Sequence, residues 1–311
     1  MTGIANSERI EEEYRIIAAG AGWAIRAERG RIRLEGADAV SFLHALVTND
    51  IESLPAGGGA YAAYLTPQGR MLADMRVYRR PDGLLLEVSL PQVEDLTTRL
   101  DQAVFAEDVR VTNVSDAWTQ ITVIGPDAAG VVTRAFGLEA GVAAQLPLWS
   151  QLTTSDGFVV RTEDARALSF DVFAPAFARQ TMSQRLTDAG AGEVSVELLE
   201  ALRVDAGLPA FGPDMDATTI PLEAGLLERA ISTNKGCYVG QEIIVRILHR
   251  GAGRVAKRLV RQVLDADAGL PSAGEPLVQD GRETGVVTSA AWSPIEHRVV
   301  ALGYVRRDHS A

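Results

Sequence analysis

Apolar residues in this chain recur with two alternating periods. Gly30 to Gly36 alternates apolar and polar positions like a strand and stops at a glycine. Asp38 to Val47 then sets Val40, Leu43, Ala45, Leu46 and Val47 on a helical face, with Asp38 in the N-cap position. Tyr61–Leu65, Arg70–Tyr78 and Leu84–Leu90 read as strands joined by the turns Thr66-Pro67-Gln68-Gly69 and Arg80-Pro81-Asp82-Gly83. Pro91 opens a helix that runs to Leu100, with Glu94 and Asp95 in its early turns. Strands at Val109–Val114 and Trp118–Ile124 follow, then a helix from Pro126 to Phe136. The succession repeats with strands at Phe158–Thr162 and Leu168–Phe173 and helices at Ala176–Ala189 and Val194–Gly207. Hairpins interleaved with helices predict an α+β fold rather than a doubly wound parallel sheet.

Beyond Val255 the texture changes. Val255–Leu264, Pro276–Val278, Glu283–Ala290 and Arg298–Val305 are short strand-like runs, punctuated by Gly269, Pro271, Gly274, Gly281 and Pro294. A small β-barrel or sandwich is expected there. The boundary falls at Gly251-Ala252-Gly253, which divides the chain into 1–250 and 251–311.

Composition narrows the function classes. Hydrophobic residues at 47% with 23% charged support a folded core. A net charge of −11 argues against direct nucleic-acid binding, which needs a basic footprint. No apolar run approaches the roughly 18 residues of a membrane span. Met1 to Tyr14 is acidic and lacks the apolar core of a signal peptide, so a cytoplasmic protein with no membrane association is expected. The single cysteine excludes an internal disulfide, and His44, His249, His297 and His309 show no metal-ligand spacing.

The densest chemistry lies in Asn234-Lys235-Gly236-Cys237-Tyr238-Val239-Gly240-Gln241-Glu242. It holds the only cysteine and one of two lysines, the other being Lys257. Val239, Ile243, Ile244, Ile247 and Leu248 follow at helical spacing. Cys237 is therefore expected at or just before a helix N-terminus with Lys235 beside it, an environment that favours the thiolate. The alternative reading is a small buried hydrophobe in a glycine-shaped linker. Arg246, Arg250, Arg254, Lys257, Arg258 and Arg261 form a basic stretch with no acidic residue between Glu242 and Asp265. It suits either a solvated face or an acidic ligand.

Lys-Gly-Cys-Tyr-Val-Gly-Gln-Glu resembles the signature of the YgfZ-type folate-binding proteins, relatives of the glycine cleavage T-protein (aminomethyltransferase). Leu34 to Ala39, Leu65 to Arg70 with Asp74, Leu202 to Pro209 and Ile220 to Leu226 extend the likeness in the family's order. The resemblance implies two α+β subdomains around a central folate channel plus a C-terminal β-barrel. It implies tetrahydrofolate as cofactor, Cys237 and Lys235 as reactive groups, Asp74 near the reacting folate nitrogen, and Tyr238 and Gln241 as further folate contacts. Asp171 is the candidate for the pterin carboxylate, since one carboxylate accepts both donors of a pterin edge; a solvated strand aspartate is the competing reading. Arg203 either braces the site or meets the folate glutamate, and otherwise is a surface arginine. T-proteins carry an Asp-Asp pair where this chain has Ala73-Asp74, a departure that counts against their catalysis.

The function expected from the motif is a folate-binding accessory protein for iron–sulfur assembly and tRNA-modifying iron–sulfur enzymes, with iron–sulfur proteins or assembly factors as partners. The alternative is an aminomethyltransferase moving one carbon from a lipoyl-bound amine to tetrahydrofolate. A third possibility is a structural module with a vestigial channel.

Overall fold

The computed structural model describes residues 2–163, 165, 167–251, 253–265, 269–279 and 282–306. Ala252, Gly281 and His309, singled out from the sequence, lie outside the described residues. In chain order the elements are α1 (Thr2–Ala19), β1 (Gly22–Ile25), β2 (Arg29–Glu35), α2 (Ala39–Leu46), β3 (Gly59–Leu65), β4 (Met71–Arg80), β5 (Gly83–Ser89) and α3 (Val93–Ala103). Next come β6 (Arg110–Asn113), β7 (Trp118–Ile124), α4 (Ala128–Phe136), α5 (Val142–Gln145), β8 (Gln151–Thr154), β9 (Gly157–Thr162), β10 (Ser169–Pro175), α6 (Arg179–Asp188) and β11 (Gly192–Glu193). The chain continues with α7 (Val196–Asp205), α8 (Leu227–Ala230), α9 (Gln241–His249) and β12 (Lys257–Val263). It closes with β13 (Pro276–Gln279), β14 (Arg282–Ser293) and β15 (Arg298–Arg306).

Two mainly antiparallel sheets dominate, ordered β11-β1-β7-β10-β9-β8 and β3-β4-β5-β2-β6. Each buries one face under helices. Val123, Phe170 and Val172 pack with Val131 of α4 and Met182 and Leu186 of α6, while Ile32, Met75 and Leu86 pack with Leu43 of α2 and Leu96 and Leu100 of α3. Strand side chains alternate faces, so the other set, from Tyr78, Leu85, Phe158, Val160 and Phe173, joins the two sheets in one aromatic cluster. Phe158 stacks on Phe173 at 4.8 Å and Tyr78 meets it edge-on at 5.5 Å. The same open faces also carry Asp74, Arg76, Glu87, Gln120, Thr122 and Asp171, all buried or nearly so. Charge at inward strand positions is what prepares a site here.

The C-terminal strands form a third sheet, β12-β15-β14-β13, in the expected α+β arrangement with a terminal β-unit. Helix α7 joins the parts: Leu198 and Leu202 pack with Ile10 and Ile17 of α1, and Val204 packs on Val300 and Leu302 of β15. Ser195 caps it by accepting from the Leu198 N–H at 3.1 Å. The acidic N-terminus proves to be helical because Ile10 and Ile17, two turns apart, supply just enough apolar face to dock on α7. Asp38 is not the side-chain cap expected of it: its carboxylate instead accepts from the Asp108 N–H at 2.8 Å.

Candidate functional site

A cavity of about 660 Å³ opens where the polar halves of the two sheets meet α7 and the 208–213 loop. Its walls include Arg26, Glu28, Arg29, Tyr61, Asp74, Arg76, Gln92, Trp149, Glu200, Arg203, Phe211 and Arg229. Mixed aromatic and charged walls suit a flat heteroaromatic ligand with a polar edge.

Asp74 is 6% exposed and projects from β4. One of its oxygens accepts from the Tyr61 hydroxyl at 2.6 Å, while Oδ1 is buried and accepts nothing. Burial, then the adjacent Asp74 charge, pushes the Tyr61 phenol well above its ordinary value, so Tyr61 stays a donor. Arg229 lies 5.5 Å over the Tyr61 ring. Glu28 Oε2 and Gln92 Oε1, also of the cavity walls, are buried without a donor. Three unsatisfied acceptors ask for a ligand rich in N–H groups, since each orphaned buried acceptor is costly. A reduced pterin, with an amino group and several ring N–H groups, fits that requirement.

Behind the cavity wall stands an ionic lattice. Glu87 is fully buried, meets Arg29 at 2.7 Å and Arg76 at 3.4 Å, and accepts from the Tyr78 hydroxyl at 2.9 Å. Burial alone would raise its pKa, but Arg76 and Arg29 override it and hold the carboxyl far below the usual range. Asp171 is likewise fully buried and accepts from Arg76 (3.0 Å), Gln120 (3.0 Å) and Thr122 (2.5 Å). It stands behind Arg76, outside the cavity wall, with its oxygens committed to protein donors. Arg76 is thereby fixed 5.3 Å over the Trp149 ring, at the wall.

Of the residues singled out from the sequence, the cavity wall brings together Asp74 and Arg203. Arg203 braces: it donates to Asp214 at 2.6 Å, to Glu200 at 2.6 Å, to Ser289 of β14 at 3.1 Å and to the Leu208 carbonyl. These partners outweigh burial and hold its pKa above its already high ordinary value. Lys235, Cys237, Tyr238 and Gln241 lie outside the wall. Lys235 is 9% exposed and turns its ammonium into the C-terminal carbonyls of α2, donating to His44, Val47 (2.7 Å) and Asn49 (3.0 Å). Burial lowers its pKa to about 8, so it stays charged at neutral pH. The helix after the motif starts only at Gln241, which leaves Cys237 exposed in an irregular segment rather than at a helix end. Tyr238 packs into an apolar cluster with Tyr61, Leu65 and Met71.

The motif holds the β3–β4 hairpin in place. Gly240 has φ +83°, and a Cβ there would stand 2.5 Å from the Thr66 carbonyl; one at Gly69, in the hairpin turn, would stand 2.9 Å from Ile243. That hairpin carries both Tyr61 and Asp74. The departure at Ala73 also finds its meaning: Ala73 faces the α2–α3 core, on the opposite side of β4 from the cavity. A second aspartate there would not reach a ligand. Tyr61, Glu28, Arg76, Glu87, Trp149 and Arg229 went unmarked in the sequence. The available signal was lone charges in otherwise apolar strands, Glu87 within Leu84–Val88 being the clearest.

Among the described residues no three His, Cys, Asp or Glu side chains gather to hold a metal ion, and no helix is long and apolar enough to cross a membrane.

Two helix-backed sheets around a ligand-sized channel, with a β-unit at the C-terminus, define the class of the glycine cleavage T-proteins. The GCVT N-terminal domain matches residues 5–235 and the glycine cleavage T-protein C-terminal barrel domain matches 257–311. The chain belongs to this family. It is 28% identical over 300 residues to an aminomethyltransferase of Rubrobacter xylanophilus, covering 95% of this chain and 79% of that one. It is 26% identical over 311 residues to an aminomethyltransferase of Bacillus mycoides, covering 97% and 83%. The crystal structure of the glycine cleavage system aminomethyltransferase T from Bartonella henselae shares the fold, with a TM-score of 0.84, 24% identity, and coverage of 96% and 81%. These relatives bear an enzyme's name, which corrects the expectation of an iron–sulfur accessory factor drawn from the cysteine motif. The geometry agrees, because the cysteine and lysine lie outside the cavity wall.

Proposed function

We propose that this protein is a folate-dependent aminomethyltransferase that moves one carbon from a lipoyl-bound aminomethyl group to tetrahydrofolate. The family's one-carbon acceptor is tetrahydrofolate, which supplies two amine nitrogens to take the carbon. The reading rests on Asp74: a buried carboxylate on the cavity wall with one oxygen held by Tyr61 and the other without a hydrogen-bond donor.

The overall transfer breaks the carbon–sulfur bond and the bond from that carbon to its amine nitrogen. Two folate nitrogens bond to the carbon and release two protons, one leaving with ammonia and one with the thiol. Asp74 Oδ1 is the group placed to accept a ligand N–H and hold its proton. Tyr61 keeps the carboxylate in one orientation, and Glu28 and Gln92 supply further acceptors for ring N–H groups. Arg76 over Trp149 gives a rigid, positively charged edge. The cavity wall also keeps bulk water from the carbon in transit. We retain the division into 1–250, bearing the channel, and 251–311, the terminal β-unit, as part of this reading.

The test is formation of methylene-tetrahydrofolate from an aminomethylated lipoyl carrier protein and tetrahydrofolate. Turnover supports the proposal; absence of turnover with a carrier that a known aminomethyltransferase consumes overturns it.

A further inference from the structure

Among the described residues five guanidiniums line the central cavity, those of Arg26, Arg29, Arg76, Arg203 and Arg229. Four are matched by protein carboxylates. Arg26 pairs with Glu28, Arg29 with Glu87 at 2.7 Å, Arg76 with Asp171 at 3.0 Å and Arg203 with Asp214 at 2.6 Å. Arg229 breaks the pattern. Its side chain makes no ion pair within 4 Å and no hydrogen bond among the described residues, and rests 5.5 Å over the Tyr61 ring.

Backbone contacts fix that position. Arg229 belongs to α8, whose Ala230 is fully buried and gives its carbonyl to the Thr48 hydroxyl at 2.6 Å. The same hydroxyl oxygen accepts from the Ala63 N–H at 2.9 Å, on the strand that carries Tyr61. Leu226, Ala230 and Ile231 pack in one apolar cluster with Tyr61. A half-buried cation is thus held, without a counter-charge, against the side chain that orients Asp74. Its burial costs less when an anion meets it.

The transfer reaction generates such an anion. When a folate nitrogen bonds to the carbon, the carbon–sulfur bond breaks and its electron pair stays on sulfur. Asp74 takes the proton of that nitrogen and passes it to the sulfur on release. The amine nitrogen stays on the carbon until the second folate nitrogen displaces it, taking that nitrogen's proton as ammonia leaves. The carboxylates of folate are a poorer match for Arg229, because the aminobenzoyl group separates them from the pterin that Asp74 serves. We infer that Arg229 is a catalytic residue that receives the departing lipoyl thiolate. The inference rests on the central cavity being the transfer site, and it places the sulfur against α8, above Tyr61.

The reduced lipoyl carrier protein, the product of turnover, is titrated in complex with the wild-type chain, Arg229→Gln and Arg229→Lys, and its thiolate is read by ultraviolet absorbance. The wild type lowers the pKa of the bound thiol by about one unit or more, as a neighbouring guanidinium does. The shift is lost in Arg229→Gln and largely kept in Arg229→Lys. With the aminomethylated carrier, Arg229→Gln lowers kcat by roughly 10²–10³-fold, the range of one lost charge-stabilising donor, and leaves the tetrahydrofolate Kd unchanged. An unshifted thiol in the wild-type complex overturns the inference, whether or not the variants fold. So does a shift that survives in Arg229→Gln. A tetrahydrofolate Kd raised about tenfold or more in that variant also overturns it and marks Arg229 as a folate contact. If the wild type neither binds the reduced carrier nor turns over the aminomethylated one, the transfer reading has failed and the role of Arg229 falls with it. Turnover with an unshifted thiol removes the role of Arg229 alone.

Discussion

Asp74 and Glu87 project to the same side of one sheet and are buried for opposite ends. Glu87 is surrounded by Arg29, Arg76 and Tyr78, whereas Asp74 has Tyr61 on one side and the cavity on the other. Asp74→Asn is expected to leave the fold intact and lower kcat by roughly 10²–10⁴-fold, the range of a lost general base; steady-state methylene-tetrahydrofolate formation measures it. Glu87→Gln is expected to act on stability, by about 3–5 kcal/mol, because it takes the buried carboxylate from Arg29 and one of the buried carboxylates from Arg76; urea unfolding reads this. The pH sign follows from the depressed carboxyl. Its stabilisation is complete above the unfolded-state value near 4.5 and drains away as pH falls below it, so the acid-side loss of stability is shallower in Glu87→Gln. Sequence inspection could find Asp74 through its neighbours in the Leu65–Arg70 stretch. It could not find the unpartnered oxygen, which depends on Tyr61 arriving from the adjacent strand.

Most elements were legible because their apolar periods are clean; α2, α4, α7 and the hairpin β3–β4 lie within a few residues of where the pattern places them. Capping residues misled where a side chain had a better partner, as Asp38 does in Asp108. Short edge strands such as β8 and β11, with few apolar residues, left no signal to read. The Lys235–Gln241 segment shows the deeper limit. A cysteine, a lysine and paired glycines look like reactive chemistry in one dimension. In three dimensions the lysine closes the carbonyl end of α2 and the glycine lets α9 approach a hairpin turn. Gly240→Ala is therefore expected to destabilise the fold by about 2 kcal/mol or more, combining a left-handed backbone with a clash. It should also weaken tetrahydrofolate binding, since the displaced hairpin bears Tyr61 and Asp74; thermal unfolding and calorimetry check the two effects together.

At the scale of the whole molecule the central cavity is shared between the two large sheets and α7. Arg26 and Glu28 follow the first strand of one sheet, Asp74 and Arg76 come from the other, and Arg203 stands on the helix that carries the terminal β-unit. Arg203 and Asp214 tie that helix to Ser289 and Thr288 across the boundary. A ligand binding only the assembled cavity adds about 2.7 kcal/mol at a hundredfold excess over Kd. Scanning calorimetry with tetrahydrofolate is expected to raise the unfolding temperature of the chain as one transition rather than that of one part. If the C-terminal strands melt separately at an unshifted temperature, the cavity does not integrate the fold.

The alternation of β4 has one last implication. Between Ala73 and Val77 its odd-numbered side chains belong to oil and its even-numbered ones to chemistry, with Thr66-Pro67-Gln68-Gly69 setting which is which. Losing one residue from that short connection would send the carboxylate into the helices and a methyl group into the channel. The number of residues in a surface turn therefore guards the proposed catalytic group as closely as the identity of the group itself.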